Sequence, residues 1–223
     1  MTPKGPSTLT GDLLTGDLLP APPGPARLSP DQVAASQRSR ILRAMAGAVG
    51  DKGYAATVVA DVVARAGVSR QTFYALFAGK EDCFLEAYDA GIRSIVAALE
   101  RQVDARLPPR EQLDRVLGCY LDLMASEPAV ARACLIEVFA VGPKALARRQ
   151  LMTEMFIRLL TELHRRIEID DRGSDSPDGL VYEALLGSVS SIVTTRVGRG
   201  EAALLPGLRQ PLGDWLYRAL EAF

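Results

Sequence analysis

From Ser29 onward, apolar residues recur with the 3.6-residue spacing of amphipathic helices. Ser29-Pro30-Asp31 opens the first helix, with Ser29 as N-cap and Pro30 at the first helical position. Ile41, Leu42, Met45 and Val49 share one face of it, and Lys52-Gly53 is its stop. Thr57 then caps a short helix with Val59, Val62, Val63 and Ala66 on one side, closed by Gly67 in a left-handed conformation. Ser69 caps a second short helix that turns Phe73, Leu76 and Phe77 inward. Gly79 leads into a long helix, Lys80 to about Arg106, striped by Phe84, Leu85, Tyr88, Ile92, Ile95, Val96 and Leu99. Pro108-Pro109, Pro128, Gly142-Pro143 and Ser176-Pro177 each precede a renewed helical pattern, over about 110–126, 128–140, 143–168, 178–198 and 208–223. No stretch alternates with period two for long enough to predict a strand. The fold class is all-α, about nine helices.

The first thirty residues break this pattern. They hold seven of the fourteen prolines and a direct repeat, Thr10-Gly11-Asp12-Leu13-Leu14 then Thr15-Gly16-Asp17-Leu18-Leu19. Two leucine pairs offer too little apolar surface to fold alone, so residues 1–30 are expected to be a disordered tail. Residues 31–80 and 81–223 then form two helical units.

Composition narrows the classes. With 48% hydrophobic and 24% charged residues the chain is an ordinary globular one. It lacks an apolar run of the roughly 18 residues that a membrane span needs, and no membrane partner is expected. Cys83, Cys119 and Cys134 have neither disulfide-framework nor metal-ligand spacing, and suit a reducing cytoplasm. His164, the single histidine, rules out most zinc and histidine-dependent catalytic arrangements, and the sequence around it suggests a surface turn. No cofactor is implied. The net charge of −1 conceals an asymmetry: residues 31–80 carry seven cations against three anions, a net +4 on an otherwise acidic chain. Such a segment suits a polyanion.

The basic segment contains the informative motif, residues 58–77. Two short helices meet across Gly67-Val68-Ser69 with apolar anchors at Val59, Val62, Ala66, Val68, Phe73 and Leu76, the pattern of a helix-turn-helix. Ser69, Arg70, Gln71, Thr72 and Tyr74 begin the second helix or stand on its outer face. Arginine can grip guanine, glutamine can grip adenine, and threonine can meet a thymine methyl or a phosphate. Thr57 and Lys80 stand at the two flanking helix termini, where phosphate oxygens are expected.

Ala66-Gly67-Val68-Ser69-Arg70-Gln71-Thr72-Phe73-Tyr74-Ala75-Leu76-Phe77, followed by Gly79-Lys80-Glu81-Asp82-Cys83-Phe84-Leu85, resembles the TetR family of bacterial transcriptional regulators. The resemblance covers about residues 36–90, including Gly53-Tyr54 ahead of the Thr57 cap. It departs at Val63, where relatives commonly have alanine, and at Ala75 and Leu76, where they often have basic residues or histidine. It implies an N-terminal three-helix DNA-binding domain and a larger helical domain that binds an effector and dimerises. The activity implied is that of a repressor which holds a palindromic operator in double-stranded DNA as a homodimer until a small-molecule effector releases it.

The C-terminal body adds its own hints. Helix 178–198 is apolar on two sides, so it needs two burial partners, one of which can be a second subunit. Val181, Leu185 and Ile192, with Leu212, Trp215 and Leu216 of the final helix, are the expected dimer seam. Tyr88, Tyr120, Met124, Phe139, Met155 and Phe156 are soft or aromatic side chains expected around an effector pocket. The rival readings are a helical-bundle enzyme and a protein-interaction module without DNA binding. The first lacks a metal pair, a phosphate-cradling loop and a nucleophile with a histidine partner. The second leaves the polar face of Arg70–Tyr74 unexplained.

Overall fold

The computed structural model describes residues 29–104, 106–167 and 179–222. The proline-rich segment 1–28, the Ser176-Pro177 break and Phe223 lie outside the described residues. Among the described residues, nine α-helices and two 3-10 turns follow one another: α1 (Pro30–Lys52), α2 (Val59–Ala66), α3 (Arg70–Leu76), α4 (Lys80–Glu100), α5 (Pro109–Ser126), α6 (Pro128–Leu135), a 3-10 turn at Glu137–Ala140, α7 (Pro143–Ile167), α8 (Gly179–Gly198), a second 3-10 turn at Ala202–Leu208, and α9 (Arg209–Glu221). No strand occurs among the described residues. The all-α expectation holds.

Local chemistry sets the boundaries. Ser29 caps α1 through a reciprocal box: its hydroxyl accepts the Gln32 N–H while the Gln32 side chain accepts the Ser29 N–H. Gly67 ends α2 at φ +63°, the left-handed conformation that turns the chain sharply into α3. Ser69 caps α3 by accepting the Thr72 N–H at 3.0 Å.

Three expected boundaries move. Val58, not Thr57, precedes α2, and the Asp61 carboxylate caps the end by accepting the Val58 N–H at 3.1 Å. Helix α4 stops at Glu100, short of Arg106. Its extension is lost because Pro108 pushes Leu107 out of helical geometry, and because the Asp104 carboxylate takes the Arg106 N–H and guanidinium instead. The segment 128–140 breaks after Leu135 into α6 and the 3-10 turn, where Glu137 is drawn toward the first domain.

Helix α4 joins the two halves, packing on α1 near its start and on α5 and α7 further along. Phe73, Phe77, Phe84, Ile41 and Met45 form the core of the first half. Leu99, Leu113, Leu121, Met124, Leu160, Val193 and Leu205 belong to the core of the second. A second junction comes from α6, which crosses α1 at Gly50. A Cβ on Gly50 would stand 2.1 Å from the Ala129 carbonyl oxygen, so only glycine permits this approach. No described helix is long and apolar enough to cross a membrane.

Candidate nucleic-acid interface and effector cavity

Helix α3 presents a polar outer face. Phe73 is buried, whereas Arg70, Gln71 and Tyr74 are exposed, Tyr74 at 59%. Thr72 is half-buried, its hydroxyl 2.9 Å from that of Ser69. Arg70 has no ion-pair partner among the described residues. The structure thus brings Ser69, Arg70, Gln71, Thr72 and Tyr74 together at one surface. The first domain's other cations are differently disposed. Arg38 pairs with Glu86 and lies over the Phe77 ring, Lys52 bonds Asp61, and Arg65 bonds Asp51 at 2.6 Å. Of these three pairs only Arg38–Glu86 draws on the +4 excess, because Asp51 and Asp61 are already counted within residues 31–80.

Two residues expected to face phosphate do otherwise. Thr57 is 0% exposed, and its hydroxyl donates to the Gly53 carbonyl at 2.8 Å and lies 3.2 Å from that of Ala48. It ties the end of α1 to the start of α2 and cannot reach DNA. The Lys80 ammonium donates to the carbonyls of Tyr54 at 2.9 Å and Thr57 at 3.0 Å, and sits 4.1 Å above the Tyr54 ring. Two of its three N–H donors are thus taken up inside the domain.

The connection from this domain to the body runs through Tyr54. Its backbone N–H donates to Oε2 of the buried Glu137 at 2.9 Å, and Arg132 holds the other carboxylate oxygen at 3.1 Å. Burial, then the charge of Glu81, pushes the Tyr54 hydroxyl above its ordinary pKa. Sequence reasoning missed Glu137, because nothing local marks a carboxylate that bonds a backbone group 83 residues away.

The body encloses a cavity of about 480 Å³ between α4, α5, α7 and α8, within the range of small-molecule sites. Its wall is mainly apolar. Tyr120, Met124, Phe139 and Phe156 line it, with the Tyr120 and Phe156 rings edge-to-face at 6.3 Å. Tyr88 and Met155 do not line it. Tyr88 is buried one side chain behind, with its hydroxyl 3.4 Å from Sδ of the lining Met152. Met155 is half-buried one helical step off the lining stripe of Met152, Phe156 and Leu159. Cys134 also faces the cavity, and burial pushes its thiol up to about 12, so it is an inert wall group. Arg149 and Glu183 were missed as lining residues, since single charges on long helices look like any solvated face.

The expected dimer seam divides. Leu185, Leu212 and Leu216 are buried in their own subunit, and Leu216 lines the cavity. Their helical period coincides with the core stripe, Tyr182, Leu185, Val189 and Val193 on α8 and Leu212, Leu216 and Leu220 on α9, so they cannot form a seam. Val181 is half-buried, while Ile192 and Trp215 stand exposed at 37% and 41%. His164, expected on a surface turn, is 1% exposed and lies 2.7 Å from the Tyr182 hydroxyl through Nδ1, because α7 continues past it to Ile167.

Residues 41–87, the span from mid-α1 into α4, match the family model for bacterial regulatory proteins of the tetR family. That segment is an N-terminal domain of the tetR type. Its α2–Gly67–α3 unit is the helix-turn-helix of that domain. Over 162 residues the chain is 22% identical to the fatty acid metabolism regulator protein of Bacillus subtilis strain 168, covering 71% of this chain and 82% of that one. The fold is shared with solved structures. The fatty acid degradation regulator FadR from Bacillus halodurans superposes with a TM-score of 0.74 at 19% identity, over 86% of this chain and 96% of that one. FadR from Bacillus subtilis in complex with stearoyl-CoA superposes with a TM-score of 0.70 at 19% identity, over 79% and 96%.

Proposed function

We propose that the protein is a homodimeric repressor that holds a palindromic operator and is released by a small effector carrying an acyl chain. It acts without catalysis, in the cytoplasm. In this reading residues 31–80 bind DNA and residues 81–223 bind the effector and pair the subunits. Arg70 and Gln71 contact base edges, Ser69 and Thr72 phosphate or thymine methyl groups, and Tyr74 the backbone. The exposed Ile192 and Trp215, with the partly buried Val181, belong to the face that meets the second copy.

The observation that carries the reading is the apolar cavity of about 480 Å³, set in the body of a DNA-binding chain. An aliphatic chain is the ligand such a wall accepts, since each buried methylene contributes about 0.8 kcal/mol and needs no hydrogen-bond partner. The likeness to the stearoyl-CoA complex points the same way.

Release follows from differential affinity. A ligand that binds better to a conformation in which the two α3 helices no longer match major grooves about 34 Å apart shifts the population toward it. Operator DNA must then weaken effector binding by the same factor. The test is fluorescence anisotropy of the full chain on the upstream region of its own gene, with and without stearoyl-CoA. Tight salt-dependent binding reversed by the ligand supports the reading. Binding that is indifferent to acyl ligands refutes the effector, and no preference over random DNA refutes the operator.

A further inference from the structure

Two charged residues line the cavity, Arg149 on α7 and Glu183 on α8, and they stand at opposite ends. Helices α7 and α8 run antiparallel. His164, late in α7, touches Tyr182, early in α8, at 2.7 Å. At the other end, Gly198 of α8 lies against Ile136, which leads into the 3-10 turn whose Phe139 stacks on Arg149. Glu183 is therefore level with the His164 end, and fifteen residues of α7 separate that level from Arg149, about 20 Å at the helical rise. Between the poles the wall is made of Ile95, Leu99, Leu117, Tyr120 and Phe156.

Arg149 is a spare cation. Its neighbour Arg148 pairs with Asp89, and Arg132 pairs with Glu137, yet no carboxylate among the described residues lies within ion-pair distance of Arg149. Its guanidinium rests 4.9 Å over the Phe139 ring, a contact that fixes the fork without neutralising it. Its charge is felt at the lining Tyr120, where it works against the burial that raises the hydroxyl. Phe139 is 54% exposed, so this end opens to solvent, as the exposed Glu183 end does too. A fixed, unneutralised guanidinium at an open end of an apolar cavity is a receptor for an anion that terminates an apolar chain.

Building on the acyl-effector reading, we propose that Arg149 binds the acidic head group of the effector, whose chain then runs along the cavity toward the Glu183 end. Glu183 disfavours the opposite orientation. The anion is either the carboxylate of a free acid or a phosphate of a carrier to which the chain is esterified, and both are matched by a bidentate guanidinium.

Calorimetric titration of the full chain with laurate, lauroyl-CoA and dodecanol tests this, on the natural protein and on Arg149→Gln and Arg149→Lys. The natural protein should bind at least one of the two anions about tenfold or more tighter than the neutral alcohol, the scale of one charge-assisted pair. Arg149→Gln should erase that preference while leaving dodecanol affinity unchanged, which also certifies its fold. Arg149→Lys should restore part of it. Preference for laurate identifies a free carboxylate, and preference confined to lauroyl-CoA identifies the carrier phosphates. If the anion preference survives Arg149→Gln, or the natural protein has none, Arg149 only stacks on Phe139 and the assignment is wrong. If none of the three ligands binds the natural protein, the acyl-effector reading itself falls and the assignment falls with it.

Discussion

The carboxylate of Glu137 accepts the backbone N–H of Tyr54 at 2.9 Å, and so fastens the turn after α1 to the 3-10 turn that carries Phe139 into the cavity wall. One side of this short segment faces the cavity and the other faces the DNA-binding domain. Removing the carboxylate in Glu137→Ala strands a buried N–H and should cost about 1–3 kcal/mol. The ratio of operator affinities without and with effector should also fall toward one. Glu137→Gln keeps an acceptor for Tyr54 and should retain most of that ratio. Chemical denaturation and anisotropy on the same samples check both.

Arg70 and Arg65 separate base reading from fold. Arg70→Ala should lose about 1–3 kcal/mol on the specific site and relax base preference, because the exposed guanidinium has no other employment. Arg65→Ala breaks a surface pair with Asp51 and should change operator affinity little. Competition binding with single-base operator variants distinguishes the two.

Lys80→Met should lower thermal stability, since the carbonyls of Tyr54 and Thr57 lose their donor. The slope of log affinity against log salt should stay unchanged. A slope shallower by about one would mean that the ammonium contacts a phosphate after all.

Leu216→Arg should unfold the body rather than split a dimer, because Leu216 is 5% exposed within its own subunit. An uncompensated charge there should cost about 3–5 kcal/mol. Trp215→Ser should leave the melting temperature nearly unchanged and shift the sedimentation coefficient toward monomer. Thermal scans and sedimentation velocity at micromolar concentration give the comparison.

Asp61 gives a pH signature. The Lys52 ammonium, then the Val58 N–H, hold its carboxyl below the ordinary value near 4. The folded state prefers the charged form, so the contribution is complete above the unfolded pKa and disappears as pH falls through the folded one. The melting-temperature gap between the natural protein and Asp61→Asn should be constant above about pH 5 and close as the pH drops below about 4.

The DNA-binding half was legible because its determinants are local. Gly67 needs a left-handed φ, Ser69 needs to cap, and Phe73 needs burial while Arg70 and Tyr74 do not, and all of these are set within ten residues of chain. Thr57 was misjudged because a threonine before a helix can turn its hydroxyl toward the helix or toward the core, and the choice depends on the Ala48 and Gly53 carbonyls of another element. Leu185 and Leu216 failed for a similar reason. A helix apolar on two sides does not say which side meets its own subunit. Arg149 and Glu137 gave no signal, since their importance comes from contacts with Phe139 and Tyr54 that exist only once the chain has folded.

Gly50 sets the stiffness of the joint between the two halves. Side chains between helices can absorb a small displacement by changing rotamer, as the edge of a soft gasket would. At the α1–α6 crossing there is no such layer, because the backbone of Gly50 already bears on the Ala129 carbonyl. A tilt of α6 therefore arrives at α1 with its full amplitude, like motion between meshed teeth without backlash.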